Sequence, residues 1–327
     1  MRTAESIVTE VRNLLGREGK AKVDQLLEHF RRLQECEPEL RKEVKRLGKR
    51  SGVDFYARVG ALHSDRLLID VRVAGTSCGE ITLVPGKDGR VFRPKNFTDR
   101  YRGGPADWAA PSVRKYLHTV ATLVRRQREA AVENALLIAM WKGKPVGELK
   151  PLLHHQPVRL ANMPFQFPLP ITARGALRVP GRSAAGHADV IARSSRGVRV
   201  FEVKRPRAND VGHALDQAAA YCAALRYLLD CDGKTICGAL GYKKLRPKLS
   251  IEAVAFVEDK PANRTAVAIA AGRLAKNTPF GLCAQFYRWA DHAEGPRLAI
   301  EPECRYADEA IAIPAAAPGG SRGERRW

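Results

Sequence analysis

Residues 186–221 read GHADVIARSSRGVRVFEVKRPRANDVGHALDQAAAY, and the fold turns on how this stretch divides. The stretch predicts a strand carrying Asp189, a turn, and a strand carrying Glu202 and Lys204. The alanine-rich end predicts a helix carrying Gln217 and Tyr221. In a strand, side chains two apart share a face, so Val198, Val200, Glu202 and Lys204 point one way. Arg199, Phe201 and Val203 point the other.

A carboxylate and an ammonium one pleat apart at a strand end are an odd choice for a half-buried strand, because burying either one unpaired is expensive. A mutual salt bridge would satisfy both, although its net contribution to stability is small or even unfavourable. A site that holds a divalent cation against a phosphate accounts for both groups. Magnesium takes hard oxygen ligands, commonly one or two carboxylates completed by water and substrate phosphate. Asp189 and Glu202, on neighbouring strands, can supply that pair, and Lys204 can stabilise negative charge developing at a phosphoryl group. Gln217 and Tyr221, four apart, project from one face of the following helix.

On these residues the chain resembles the PD-(D/E)XK nuclease superfamily, in particular its RecB-type branch. That branch has GxxD, ExK and QxxxY motifs, here Gly186 to Asp189, Glu202-Val203-Lys204, and Gln217 to Tyr221. The resemblance spans about 110–260. It implies an α/β, restriction-endonuclease-like core with a central mixed β-sheet flanked by helices. It also implies Mg2+-dependent hydrolysis of DNA phosphodiesters, with Mn2+ as a substitute. Asp189, Glu202 and the backbone carbonyl of Val203 would bind metal, and Lys204 would assist attack by water. Gln217 and Tyr221 match residues that line the site and approach DNA. A glutamate from an upstream helix often completes such sites; Glu133 is the candidate and Glu129 the rival. Ala188 replaces the proline of the superfamily name, which ligates nothing. The cysteines do not match the iron–sulfur staple of some RecB-type nucleases, so no cluster is expected.

The chain of 327 residues has a net charge of +21, which calls for a polyanionic partner; DNA rather than RNA is expected. Arg205, Arg207, Lys243, Lys244, Arg246 and Lys248 are expected to flank the cleft and contact phosphates. Seven cysteines without a CxxC pair argue against a disulfide framework or a zinc site, and Cys222, Cys231 and Cys237 read as buried thiols. His154-His155 has no acidic or cysteine partner at ligand spacing and reads as loop histidine. No apolar run reaches membrane-spanning length and the N-terminus lacks a signal-peptide pattern, so the expected location is the cytoplasm without membrane contact.

Three regions are expected. Residues 1–108 form an N-terminal α+β accessory domain: two helices, the basic run 41–50, a small antiparallel sheet with a hairpin turn at Gly86–Gly89, and a linker over 98–108. This domain would engage DNA, a protein partner or a second copy of the chain. Residues 109–300 form the nuclease domain. It starts with one long helical stretch after Pro111 and continues with an edge strand at 164–172. The Gln217 helix should end near Leu229, with strands at 236–242, 251–258 and 281–289 and a helix around 262–275. Residues 301–327 are a basic, Pro/Ala/Gly-rich tail, expected to be partly disordered. Repair, restriction and defence against foreign DNA all fit. The competing expectation is a nucleic-acid-binding adaptor that keeps the fold without turnover.

Overall fold

Val198, Val200, Phe201 and Val203 are strand formers, and every residue of their strand is buried, the mark of a strand covered on both faces. In the computed structural model this strand lies inside an eight-stranded mixed sheet. The structure describes residues 3–48, 53–59, 67–73, 76–83, 90–94, 104–124, 128–142, 156–157, 165–171, 186–194, 197–246, 248–275, 278–290, 297–300 and 304–306. The turn at 86–89, His154-His155, most of the Gly-rich passage before Gly186 and the tail beyond 306 lie outside them.

The chain opens with α1 (Ala4–Asn13), a π-helical turn (Leu14–Glu18) and α2 (Lys20–Leu47). The small sheet follows: β1 (Val53–Val59), β2 (Leu67–Val73), β3 (Thr76–Leu83), β4 (Val91–Pro94) and β5 (Ala106–Asp107), antiparallel throughout. Next come α3 (Pro111–Val124), α4 (Arg128–Lys142), β6 (Gln156–Pro157), β7 (Phe165–Leu169), β8 (Gly186–Arg193) and β9 (Gly197–Val203). The chain continues through α5 (Ala214–Ala239), β10 (Ser250–Glu258), α6 (Pro261–Leu274), β11 (Gly281–Ala290), β12 (Arg297–Ile300) and β13 (Cys304–Tyr306).

The large sheet runs β12-β11-β10-β9-β8-β6, with β13 also on β11 and β7 also on β8. Strands β9, β10 and β11 are parallel, and β8 is antiparallel to β9. One face buries Val198, Val200, Ala253 and Ala255 against α5. The other buries Val190, Phe201, Val203 and Phe256 against Val132, Leu136 and Met140 of α4. A mixed central sheet flanked by helices is therefore what the chain forms.

Helix α5 is apolar nearly all round, from Ala218–Ala220 through Cys222, Ala224 and Leu228. A helix of that kind must be covered on every side. The large sheet covers one side. Helices α1 and α2 cover the other: Ile7, Val11, Leu27, Phe30 and Leu33 join the same core, and Phe30 stacks on Phe167 of β7 at 5.3 Å. The helices that sequence grouped with the small sheet are thus packed on the large sheet's principal helix.

Four expectations are corrected. Residues 236–242 are not a strand. Helix α5 bends at Asp232 (φ −150, ψ 76) and then continues to Ala239. The Asp232 carboxylate accepts from the Thr235 backbone N–H at 3.0 Å and from Thr235 Oγ1 at 2.8 Å, capping the second segment. The long helical stretch after Pro111 is two helices serving different layers. Val113, Tyr116, Leu117 and Val120 of α3 pack on the small sheet, whereas α4 packs on the large one. The linker ends in β5, and Trp108 is buried in the small sheet's core with its indole N–H donating to the Leu47 carbonyl at 3.2 Å. The basic run at 41–50 begins inside α2, where Arg41 and Arg46 pair with Glu37 and Glu43 of the same helix.

Burial opposes ionisation of Asp232, but the Thr235 bonds and the Arg31 guanidinium outweigh it and hold the carboxyl below its usual range. Asp232→Ala is expected to lower stability by about 1 kcal/mol at neutral pH, as for other lost caps. Because the folded-state pKa is depressed, this stability is present above the unfolded carboxylate pKa and is lost as pH falls through the folded one. Urea unfolding of both proteins should therefore show the difference shrinking in acid. A constant difference would contradict the cap.

Candidate functional site

The register that pairs Val190 with Phe201 sets Asp189 across from Glu202 one step further on. Val190 and Phe201 face α4, so alternation turns Asp189 and Glu202 to the α5 side. Lys204 follows where β9 ends, its backbone N–H donating to the Phe256 carbonyl at 3.0 Å. The first turn of α5 delivers Gln217 to the same place. The site thus lies at the carboxyl ends of the parallel strands and beside the N-terminal, partly positive end of a helix.

The contacts are specific. Asp189 Oδ2 accepts from the Val203 backbone N–H at 2.7 Å, fixing the carboxylate against the neighbouring strand. Lys204 Nζ donates to Glu202 Oε1 at 2.9 Å and to Gln217 Oε1 at 2.6 Å. Glu202 and Lys204 are only 6% and 8% exposed, so their charges meet in a poorly hydrated place. Burial by itself would lower the Lys204 pKa. Attraction from Glu202, then Asp210 and Asp189, outweighs it and raises the pKa above the ordinary value. Lys204 accordingly carries its charge at neutral pH.

The structure brings together Asp189, Glu202, Lys204 and Gln217. Val203 contributes its backbone, while its side chain is buried on the α4 side. Tyr221, one turn beyond Gln217, is 4% exposed within the core that seats α5 on the sheet. Glu133 is buried on α4, the helix on the opposite face of the sheet. Among the described residues no three acidic, histidine or cysteine side chains are grouped to hold a metal. Glu129 lies one turn earlier on α4. Cys222 and Cys237 are buried, Cys231 is exposed, and all three are free thiols on α5.

Two further residues belong here. Asp210 Oδ2 lies 3.8 Å from Lys204 Nζ, at the exposed mouth of the site. The loop that returns it passes through Arg207 in the left-handed region (φ 61), with the Arg207 N–H held by Glu258 Oε2 at 2.8 Å. Tyr287, from β11, donates its hydroxyl to the Lys204 carbonyl at 2.5 Å and pins the end of β9. Asp210 carried a local signal, an acid just before a helix. Tyr287 carried none, because it arrives from two strands away.

The expected basic rim divides. Arg205 and Arg207 are exposed in the loop immediately after Lys204. Lys243, Lys244, Arg246 and Lys248 are also exposed, but they do not flank this site. They follow the far end of α5 and precede Ser250, which pairs with Gly197 at the opposite end of β9. The six steps from Gly197 to Val203 separate the two ends by about 20 Å.

Two carboxylates on adjacent strands, Asp189 and Glu202, form a hard oxygen donor set suited to Mg2+ or Mn2+. The ammonium beside these carboxylates suits an anionic substrate. No protein-family model matches the chain, and no match occurs among curated proteins or solved structures. Among the described residues no helix is long and apolar enough to cross a membrane.

Proposed function

We propose that the protein is a metal-dependent DNA nuclease with a restriction-endonuclease-like core. The observation that carries the reading is Lys204, a buried ammonium shared between Glu202 and Gln217, at the strand end where Asp189 and Glu202 lie on adjacent strands. A structural salt bridge needs only one carboxylate. Here the ammonium has Glu202, Asp210 and Asp189 all contributing to its electrostatic setting.

Asp189 and Glu202 would hold Mg2+, which when bound supplies an activated water and neutralises phosphate charge. The Val203 N–H keeps Asp189 in orientation. Lys204 faces the scissile phosphate and stabilises the charge that grows on its oxygens as the bond to the leaving oxygen breaks. Gln217 keeps the ammonium in place from the helix side. Arg205 and Arg207, exposed beside the site, contact flanking phosphates, which gives grip without sequence choice. Repair, restriction and defence are all compatible settings for this chemistry.

The test is cleavage of labelled duplex and single-stranded DNA with and without Mg2+, on circular and linear molecules. Metal-dependent cutting supports the reading, and opening of a circle assigns an endonuclease. No cutting of any of these substrates at millimolar Mg2+ or Mn2+ would sink it. The second reading, a DNA-binding adaptor without turnover, draws on the direct Lys204–Glu202 ion pair, which can satisfy both charges by itself. Metal-independent binding with no cleavage would favour it.

A further inference from the structure

Residues 241–246 and Lys248 belong to a basic loop at the end of the large sheet remote from Asp189. Gly241 has φ +78, a conformation suited to glycine, and the Arg193 guanidinium lies 3.1 Å from where a Cβ would sit. Arg193 Nη1 donates to the Gly241 carbonyl at 2.5 Å. Tyr242 is buried, and its hydroxyl lies 2.9 Å from both the Ser194 and Gly197 carbonyls, tying the loop to the β8–β9 turn. Its ring is approached by two guanidinium groups, Arg193 at 5.6 Å and Arg246 at 5.8 Å. The loop is therefore a held structure that presents charge.

Several exposed cations elsewhere have acidic partners. Lys20 pairs with Asp24, Arg31 with Glu28 and Asp232, and Arg264 and Arg288 with Asp259. Among the described residues no carboxylate lies within ion-pair distance of Lys243, Lys244, Arg246 or Lys248, which makes them the loop's surplus charge. The C-terminal dipole of α5 offsets some of it, but a helix end carries only about half an elementary charge. Four like charges on one short loop repel one another, and a polyanion is what relieves them.

We propose that this loop is a second nucleic-acid backbone site, gripping a stretch of polynucleotide remote from the reacting phosphate. The spacing of about 20 Å to Lys204 corresponds to about six base pairs at 3.4 Å each, so a long substrate can engage both ends of the sheet. This inference shares with the nuclease reading only the identity of the ligand, and its test needs no cleavage.

The experiment measures binding of a fluorescent 40-base-pair duplex by anisotropy in EDTA, over about 50–200 mM salt. The full-length protein is compared with Lys243→Ser/Lys244→Ser/Arg246→Ser/Lys248→Ser. Loss of four phosphate contacts should flatten the slope of log K against log salt by roughly 3–4. The parent should then lose roughly 100-fold more affinity across that range than the variant. A control, Arg12→Ser/Lys20→Ser/Arg41→Ser/Arg46→Ser, removes equal charge from ion-paired positions on α1 and α2 and should keep the parental slope. The Lys243→Arg/Lys244→Arg/Lys248→Arg variant should keep it as well, which separates charge from damage to the loop. An unchanged slope in the loop variant overturns the proposal, as does equal flattening in the control. Absence of cleavage in Mg2+ would count against the nuclease reading and leave this one standing.

Discussion

Asp189→Asn is expected to abolish Mg2+-dependent cleavage while leaving the fold intact, because the amide can still accept from the Val203 N–H that Asp189 Oδ2 now engages at 2.7 Å. Lys204→Met should reduce kcat about 10²–10³-fold, the range seen when one group that stabilises transition-state charge is removed. The two variants should differ in stability. Lys204→Met leaves the Glu202 carboxylate, 6% exposed, without the ammonium now 2.9 Å away, and breaking such a buried pair costs about 3–5 kcal/mol. Adding Glu202→Gln should recover most of that stability and none of the activity, since replacing both members of a buried pair is often close to neutral. Cleavage assays alongside urea unfolding separate the two effects. A Lys204→Met protein that cuts at the parental rate would remove Lys204 from the chemistry.

Removing residues 1–47 is expected to unfold the protein. This sets α1 and α2 apart from a detachable module. Phe30 and Leu33 are fully buried, and with Ile7, Val11 and Leu27 they cover the side of α5 that the sheet does not. Phe30→Ala alone should cost about 3–5 kcal/mol. Loss of the whole layer exceeds the roughly 5–15 kcal/mol that ordinarily holds a domain folded. Circular dichroism and size-exclusion chromatography of the truncated chain should show loss of cooperative folding. A compact, cooperatively melting fragment would contradict the shared core.

Some of this was legible residue by residue. Alternation around Asp189 and Glu202 marked β8 and β9, and the i, i+4 spacing put Gln217 and Tyr221 on one side of a helix. The run ICGALGY was not legible. A short apolar segment suits a buried strand or a buried helix equally. Only the Asp232 cap and the packing of Ile236 and Leu240 in the α5 core make it helical. Helices α3 and α4 read as one because periodicity reports an apolar face, not the sheet that the face will meet.

The sequence by itself determined the local chemistry: which side chains alternate, which turns break the strands, and that Glu202 and Lys204 fall on one face. Those properties depend on neighbours a few positions away along the chain. Tertiary structure alone decided that Gln217 meets Lys204 and that Asp210 returns to the same ammonium. It placed Tyr287 beneath the Lys204 carbonyl and Glu133 on the helix across the sheet. It also carried the basic loop to the far end of the molecule. Because β9 and β10 are parallel, the chain must travel back along α5 before β10 can begin, so Lys243, Lys244, Arg246 and Lys248 are left about 20 Å from the carboxylates.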